Sequence, residues 1–324
     1  MSLPTQLGMT TPLLDALIIG AGPAGLSVAT GLARQLHTAV VFDSGLYRNA
    51  RTSHMHNVVG WDHANPKDFR KKAREDLLAR YSTIRFEDRA IEAVRKVHSE
   101  SEKENKKVFE ATDTEGNAWY ARKLVLATGV KDLPLDIPGF EECWGTNIFH
   151  CLFCDGYEER GQKSVGVLAT GPLTTIPSPV KVLRMASRLA ESVTVYTNGN
   201  EGFATLLENE VEGLNVVFEN RVIKKFEKGE TGARVVVHFE KEGAKEEGFL
   251  VYAPEMKVNG PFAEQLGLRM TPAGDIEVSQ PFFETSEAGV FAVGDIAGPI
   301  KAVTPAIYSG TMVAAGLAAQ VQAE

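Results

Sequence analysis

Short apolar runs alternate along the chain with stretches in which apolar positions recur every three or four residues. Leu13 to Ile19 is a mostly apolar run and predicts a strand. It enters Gly20-Ala21-Gly22-Pro23-Ala24-Gly25, after which helical spacing continues to about Leu36. Ala39 to Asp43 (AVVFD) predicts a second strand that ends in an acid, and Asn65 to Tyr81 a surface helix. Ile84 to Tyr120 reads as alternating strands around a charged Ser99–Lys107 hairpin loop, and Lys123 to Thr128 (KLVLAT) as a buried strand closed by Gly129. A proline-rich linker follows, Leu133 to Gly139, and the pattern restarts. Ser164–Ala169 predicts a strand, Pro179–Ala190 a helix and Ser192–Thr197 a strand, a second βαβ unit with a right-handed crossover. Strands are expected at Val216–Phe218 and Ala233–Phe239, then an acidic, solvated turn at Glu240–Gly248, a return at Phe249–Ala253 and a last strand in Val290–Asp295 (VFAVGD) before a C-terminal helix. One βαβ unit nested inside another predicts an α/β fold of two doubly wound domains, with boundaries at 1–125 plus 254–324 and at 126–253.

Composition narrows the function. With 324 residues, 44% hydrophobic and 23% charged, the chain can bury a sizeable core without disulfides or metal. A net charge of -8 argues against a nucleic-acid partner, which needs a basic face. Two uncharged stretches, Ala16–Ala33 and Ala302–Ala323, are diluted by Gly, Ala, Ser and Thr and read as buried helices, not membrane spans. No targeting segment is evident, so a cytoplasmic location is expected.

Two motifs carry chemistry. Gly20-x-Gly22-x-x-Gly25 lies between a predicted strand and helix, with Asp43 on the next strand end. The first glycine permits the tight turn, the second the approach of a pyrophosphate, and the third the packing of helix on strand. The helix start at Pro23 and Ala24 turns its free amides, Ala24's among them, toward phosphates, the proline setting the first turn without donating, and Asp43 can accept a hydrogen bond from a ribose hydroxyl. Thr128-Gly129 and Gly294-Asp295 close two further strands, where ligands of open sheets bind; Asp295 reads equally as a helix cap. The second motif is Cys151-Leu152-Phe153-Cys154. Among three cysteines, a pair at this spacing can close a small ring and exchange with another disulfide. Zinc would need two more ligands and no second such pair exists, so redox chemistry is favoured and no metal ligand set is predicted. His150 and Asp155 flank the pair. Either can shuttle a thiol proton, and either can be a turn or capping residue. Cys143 reads as a buried small hydrophobe.

The GAGPAG turn, the ATG strand end, Cys-x-x-Cys-Asp-Gly and VFAVGD occur in the order of the low-molecular-weight thioredoxin reductases, and the resemblance covers nearly the whole chain. It implies two nested Rossmann-like nucleotide-binding domains, the outer one holding FAD and the inner one the redox pair. By this resemblance Gly20, Gly22, Pro23, Ala24, Gly25 and Asp43 contact the ADP half of FAD. Thr128, Gly129, Gly294, Asp295, Ala302 and Val303 complete the flavin site, with Asp295 near the phosphate–ribitol and the C-terminal helix directed at the ring system. Cys154 would face the flavin, Cys151 would attack substrate and Asp155 would be the acid–base residue. The resemblance also implies a homodimer.

The second βαβ unit departs from that family. It reads Ala169-Thr170-Gly171-Pro172-Leu173-Thr174, with one glycine, and its next strand ends in Tyr196-Thr197-Asn198-Gly199 with no arginine nearby to grip a 2′-phosphate. NADPH binding is therefore expected to be weak or absent. The stretches His150–Cys154, Glu255–Lys257 and Pro281–Thr285 look most like thioredoxin reductase-like dithiol oxidases, which close disulfides in gliotoxin- and holomycin-like metabolites. That resemblance implies oxidation of a small-molecule dithiol with O2 as acceptor and H2O2 as product. The alternatives are a thioredoxin reductase fed by NADPH, ferredoxin or another donor, and a non-catalytic flavin redox sensor.

Overall fold

The computed structural model describes residues 13–98 and 107–324. Of the expected Ser99–Lys107 hairpin loop, 99–106 lie outside the described residues, and Lys107 opens a strand. The chain divides into two compact units. The first comprises the described residues of Met1–Ala50, Lys67–Lys131 and Lys257–Glu324, and the second Arg51–Pro66 and Asp132–Met256.

The first unit is built on a parallel sheet in the order Ile84–Glu87, Ala39–Phe42, Leu14–Ile19, Ala118–Leu126, Val290–Ala292. Its central strands carry apolar runs because both faces are covered there; Leu17, Ile18, Leu124, Val125 and Phe291 are fully buried. Antiparallel strands are added on the side of Ala118–Leu126 away from Leu14–Ile19: Lys107–Asp113, then Ile91–His98, pair along its first half, and Glu284–Thr285 with Val278–Ser279 lie beyond Val290–Ala292. The helix Pro23–Arg34 starts on a proline, which fits the first turn because no partner is needed for its missing N–H. It packs on the C-terminal helix Val303–Ala323 at close range, since a Cβ on Gly310 would lie 2.3 Å from the Ala24 carbonyl oxygen. Among the described residues no helix is long and apolar enough to cross a membrane.

The second unit holds a parallel sheet in the order Val216–Glu219, Ala190–Tyr196, Gln162–Leu168, Leu250–Val251, Ile148–Phe149. The helix Ser178–Ala186 buries Leu183 and Ala186 in the same cluster as Val165 and Val193. It is shorter than the spacing predicts, because Ala190 already opens the next strand. A separate antiparallel sheet, Ile223–Lys228, Val235–Phe239 and Ala244–Glu247, closes over Phe140, Tyr196 and Tyr252.

Two expectations are corrected. The acidic turn at Glu240–Gly248 contains the strand Ala244–Glu247, and Glu247 is buried, accepting a hydrogen bond from the Tyr196 hydroxyl at 2.7 Å and pairing with Lys245 at 3.2 Å. A carboxylate with both partners can be buried where a polar stretch alone suggests solvent. Residues 51–66, assigned by the sequence reading to the outer domain, belong to the second unit. Arg51 donates to the Glu141 carbonyl at 2.7 Å and Asn57 to the Phe153 carbonyl at 2.7 Å, which fixes the segment there.

Candidate active site

The strand Ile148–Phe149 leads through His150 into Cys151, which is the N-cap of a one-turn helix, Leu152–Asp155. The amides of Cys154 and Asp155 donate to the Cys151 carbonyl at 3.0 and 3.1 Å, so the turn itself sets the spacing of the two thiols. Cys151 and Cys154 are joined as a disulfide with a Cα–Cα separation of 5.2 Å, inside the range such a bond needs. Phe153, between them in sequence, is 75% exposed, and Tyr157 is also exposed. Cys143 is a free, buried thiol, and burial pushes its pKa up.

The two candidate proton carriers sit differently. Asp155 is largely withdrawn from solvent, and burial pushes its carboxyl up to about 6. The Thr52 hydroxyl at 3.4 Å and the nearby His56 oppose that rise, and Glu158 adds to it. A carboxyl poised near neutrality suits acid–base work. His150 is exposed, with its ring 5.8 Å from that of Trp144.

Segment 51–66 brings in residues that the sequence reading missed. His56 Nδ1 lies 2.5 Å from the Cys154 carbonyl oxygen, which makes Nδ1 the protonated nitrogen. Its Nε2 then faces His63 Nδ1 at 3.0 Å and Glu158 Oε1 at 3.3 Å. His54 stacks on His63 with centroids 4.0 Å apart. Three of the chain's seven histidines fall between positions 54 and 63, and that density was the available signal.

In the first unit, the glycine turn provides what a pyrophosphate requires. Gly22 caps the helix with no side chain over it, and a Cβ there would meet nothing within 4 Å, so its backbone is open to approach. A Cβ on Gly25, by contrast, would lie 1.9 Å from the Gly20 carbonyl oxygen, which allows only glycine where helix meets strand. Asp43 accepts from the Gly45 amide at 2.9 Å and the Tyr47 hydroxyl at 2.5 Å, and a carboxylate retains acceptor capacity beyond those two. Burial, then Asp43, push the Tyr47 pKa well up. Thr128 exchanges hydrogen bonds with Asn259, and Gly129 accepts from the Asn259 amide. Asp295 lies in the short 3-10 turn Gly294–Ala297 and pairs with Arg48 at 3.0 Å; it does not cap the C-terminal helix, which begins at Val303 behind Ala302. The first turn of that helix has no acidic residue and no side-chain cap at Ala302. These residues fit a dinucleotide of the flavin type, which needs an open glycine turn and uncapped helix starts.

The corresponding turn of the second unit is built otherwise. Gly171–Thr174 forms a 3-10 turn in which the Leu173 amide donates to the Thr170 carbonyl at 3.1 Å and Leu173 is buried. An amide spent inside the turn cannot bind a phosphate. An arginine does stand near the Tyr196 strand end, contrary to the sequence reading, because the parallel pairing of Tyr196 with Glu219 brings Arg221 there. Its guanidinium is held by Glu219 at 2.9 and 2.6 Å and stacks over Phe239 at 3.9 Å.

The profile of the family described as pyridine nucleotide-disulphide oxidoreductase matches residues 14–310. Thioredoxin reductase aclD of Aspergillus oryzae is 46% identical over 97% of this chain and 98% of its own length. Thioredoxin reductase tcpT of Claviceps purpurea is 44% identical over 93% of this chain and 92% of its own. An oxidoreductase from Agrobacterium tumefaciens, known from its crystal structure, superposes with a TM-score of 0.81 at 27% identity, covering 96% of this chain and 99% of its own.

Proposed function

From the chain's membership of the pyridine nucleotide-disulphide oxidoreductases, and hence as a flavin-dependent oxidoreductase, we propose that it uses FAD and the Cys151–Cys154 disulfide to oxidise a small-molecule dithiol. The observation that carries this reading is the second glycine turn, which keeps one glycine, places Pro172 and the buried Leu173 after it and spends the Leu173 amide on Thr170, beside a strand end whose arginine is already paired. A turn and strand end built this way disfavour the pyrophosphate and 2′-phosphate of a pyridine nucleotide, and the reading has electrons enter from the dithiol.

A substrate thiolate attacks Cys151, breaking the protein disulfide and leaving Cys154 as thiolate. The second substrate thiolate attacks the substrate's sulfur in the mixed disulfide. The product disulfide closes and Cys151 leaves as thiolate. Two electrons have passed to the protein pair and two protons have been released. Asp155, held near neutrality by burial, accepts a proton from an incoming thiol, with His150 as a second acceptor. The bound flavin supplies the route for that electron pair to O2, which becomes H2O2 and restores the disulfide. A second reading, reduction of a protein disulfide, is favoured by the relatives being named thioredoxin reductases.

The test is anaerobic reduction of the yellow protein, with NADPH in one cuvette and a dithiol such as reduced gliotoxin in the other. Bleaching by the dithiol alone, with colour and peroxide returning in air, is expected. Prompt bleaching by NADPH would overturn the reading in favour of a thioredoxin reductase. FAD itself is checked by chromatography of the flavin released by acid. We also propose that the protein is a cytoplasmic homodimer, and light scattering tests the oligomeric state directly.

A further inference from the structure

We propose that His56, His63 and Glu158 bind a divalent cation of the zinc type on the redox unit. His56 Nε2, His63 Nδ1 and Glu158 Oε1 are separated by 3.0, 3.3 and 3.9 Å. Two ligand atoms each about 2.0–2.1 Å from a tetrahedral zinc stand roughly 3.3 Å apart, so the three atoms already approximate one face of its coordination shell. The ligands come from two segments of the same unit, the loop 51–66 and the turn that follows the cysteine pair.

The surrounding contacts prepare each ligand. His56 donates Nδ1–H to the Cys154 carbonyl, which leaves the Nε2 lone pair facing the site. A metal-bound histidine ordinarily has such a partner on its other nitrogen, where it fixes tautomer and ring orientation. The His63 ring is held in plane by its stack with His54, inclined by 8°, and its amide donates to the Met55 carbonyl at 2.9 Å. His56 is 12% exposed, whereas His63 and Glu158 are 58% and 36% exposed, so the buried ligand is anchored and the outer two leave an entry path. Two imidazoles and one carboxylate favour zinc and its neighbours over magnesium or calcium, which prefer oxygen. With three protein ligands, a fourth position stays open to water or another donor, the pattern of exchangeable zinc sites. The bound ion would fasten the loop 51–66 to the cysteine turn. This inference does not depend on which dithiol or which electron acceptor the enzyme uses.

The test is a zinc titration of the flavin-loaded, oxidised protein against a chromophoric chelator, the closed disulfide keeping both cysteines from ligating. One equivalent is expected to bind, and magnesium in millimolar excess should not displace it. His63→Ala and Glu158→Gln should each weaken binding at least about tenfold. A Cys151→Ser/Cys154→Ser variant should bind as the parent does. Flavin absorbance and circular dichroism report whether each variant is folded, and the exposed Glu158 position serves if the histidine variant is not. Absence of saturable uptake, uptake unchanged in both ligand variants, or uptake lost in the serine variant would each overturn the site.

Discussion

Replacing Asp155 by Asn should stabilise the protein and cripple it at the same time. Burial holds the carboxyl near 6, roughly two pH units above an ordinary aspartate, and each unit is worth about 1.4 kcal/mol. Below about pH 4 the group is protonated whether the chain is folded or not, so it contributes no difference. Between about pH 4 and 6 the unfolded chain ionises first and gains stability relative to the native state. Above about pH 6 the native protein carries the whole penalty, up to about 3 kcal/mol and nearer half that once residual solvent access is allowed for. Asparagine cannot ionise. Asp155→Asn should therefore match the parent at pH 4 and melt a few degrees higher at pH 7.5. In stopped-flow reduction by a dithiol, the parent rate should climb through about pH 6 as the base form appears. The variant should lose that limb and run about 10²–10⁴-fold slower. A variant that keeps the limb, or is less stable than the parent at pH 7.5, would refute this account of Asp155.

Three further outcomes are expected. Gly22→Ala should leave the melting of the flavin-free protein unchanged while weakening flavin retention, because its Cβ meets nothing in the protein; Gly25→Ala, with a 1.9 Å clash against the Gly20 carbonyl oxygen, should impair both folding yield and flavin content. Cys151→Ser should keep the flavin spectrum and abolish turnover with dithiols; turnover at the parent rate would remove the disulfide from the mechanism. Tyr196→Phe deprives the buried Glu247 of a hydrogen bond and should cost about 1–3 kcal/mol in urea denaturation, with little change in dithiol reduction.

What could be read in the sequence was whatever the chain encodes locally. The turn from Gly20 to Gly25 must be glycine-rich for steric reasons that act within a few residues, and Cys151 and Cys154 pair across a single helical turn. The strand Ala244–Glu247 was not legible, because Glu247 and Lys245 find hydrogen-bond partners in Tyr196 and Thr194 of a distant strand. Nor was the histidine loop, whose residues follow no helical or strand period and acquire their meaning only when His56 meets the Cys154 carbonyl. Arg221 illustrates the same limit: parallel pairing brings it beside a strand end from which it is well separated in sequence.

The division of the chain has a consequence for how such a protein can be taken apart. The backbone leaves the first unit at Ala50, returns at Lys67, leaves again at Lys131 and returns at Lys257. A fragment covering Asp132–Met256 would contain both cysteines but lack Thr52, His56 and His63, and so the hydrogen bonds to Asp155 and to the Cys154 carbonyl. The redox unit is thus not a transferable cassette. Recombination that exchanged one continuous segment would separate the disulfide from half of its surroundings, which binds the inheritance of the redox turn to that of the chain that precedes it.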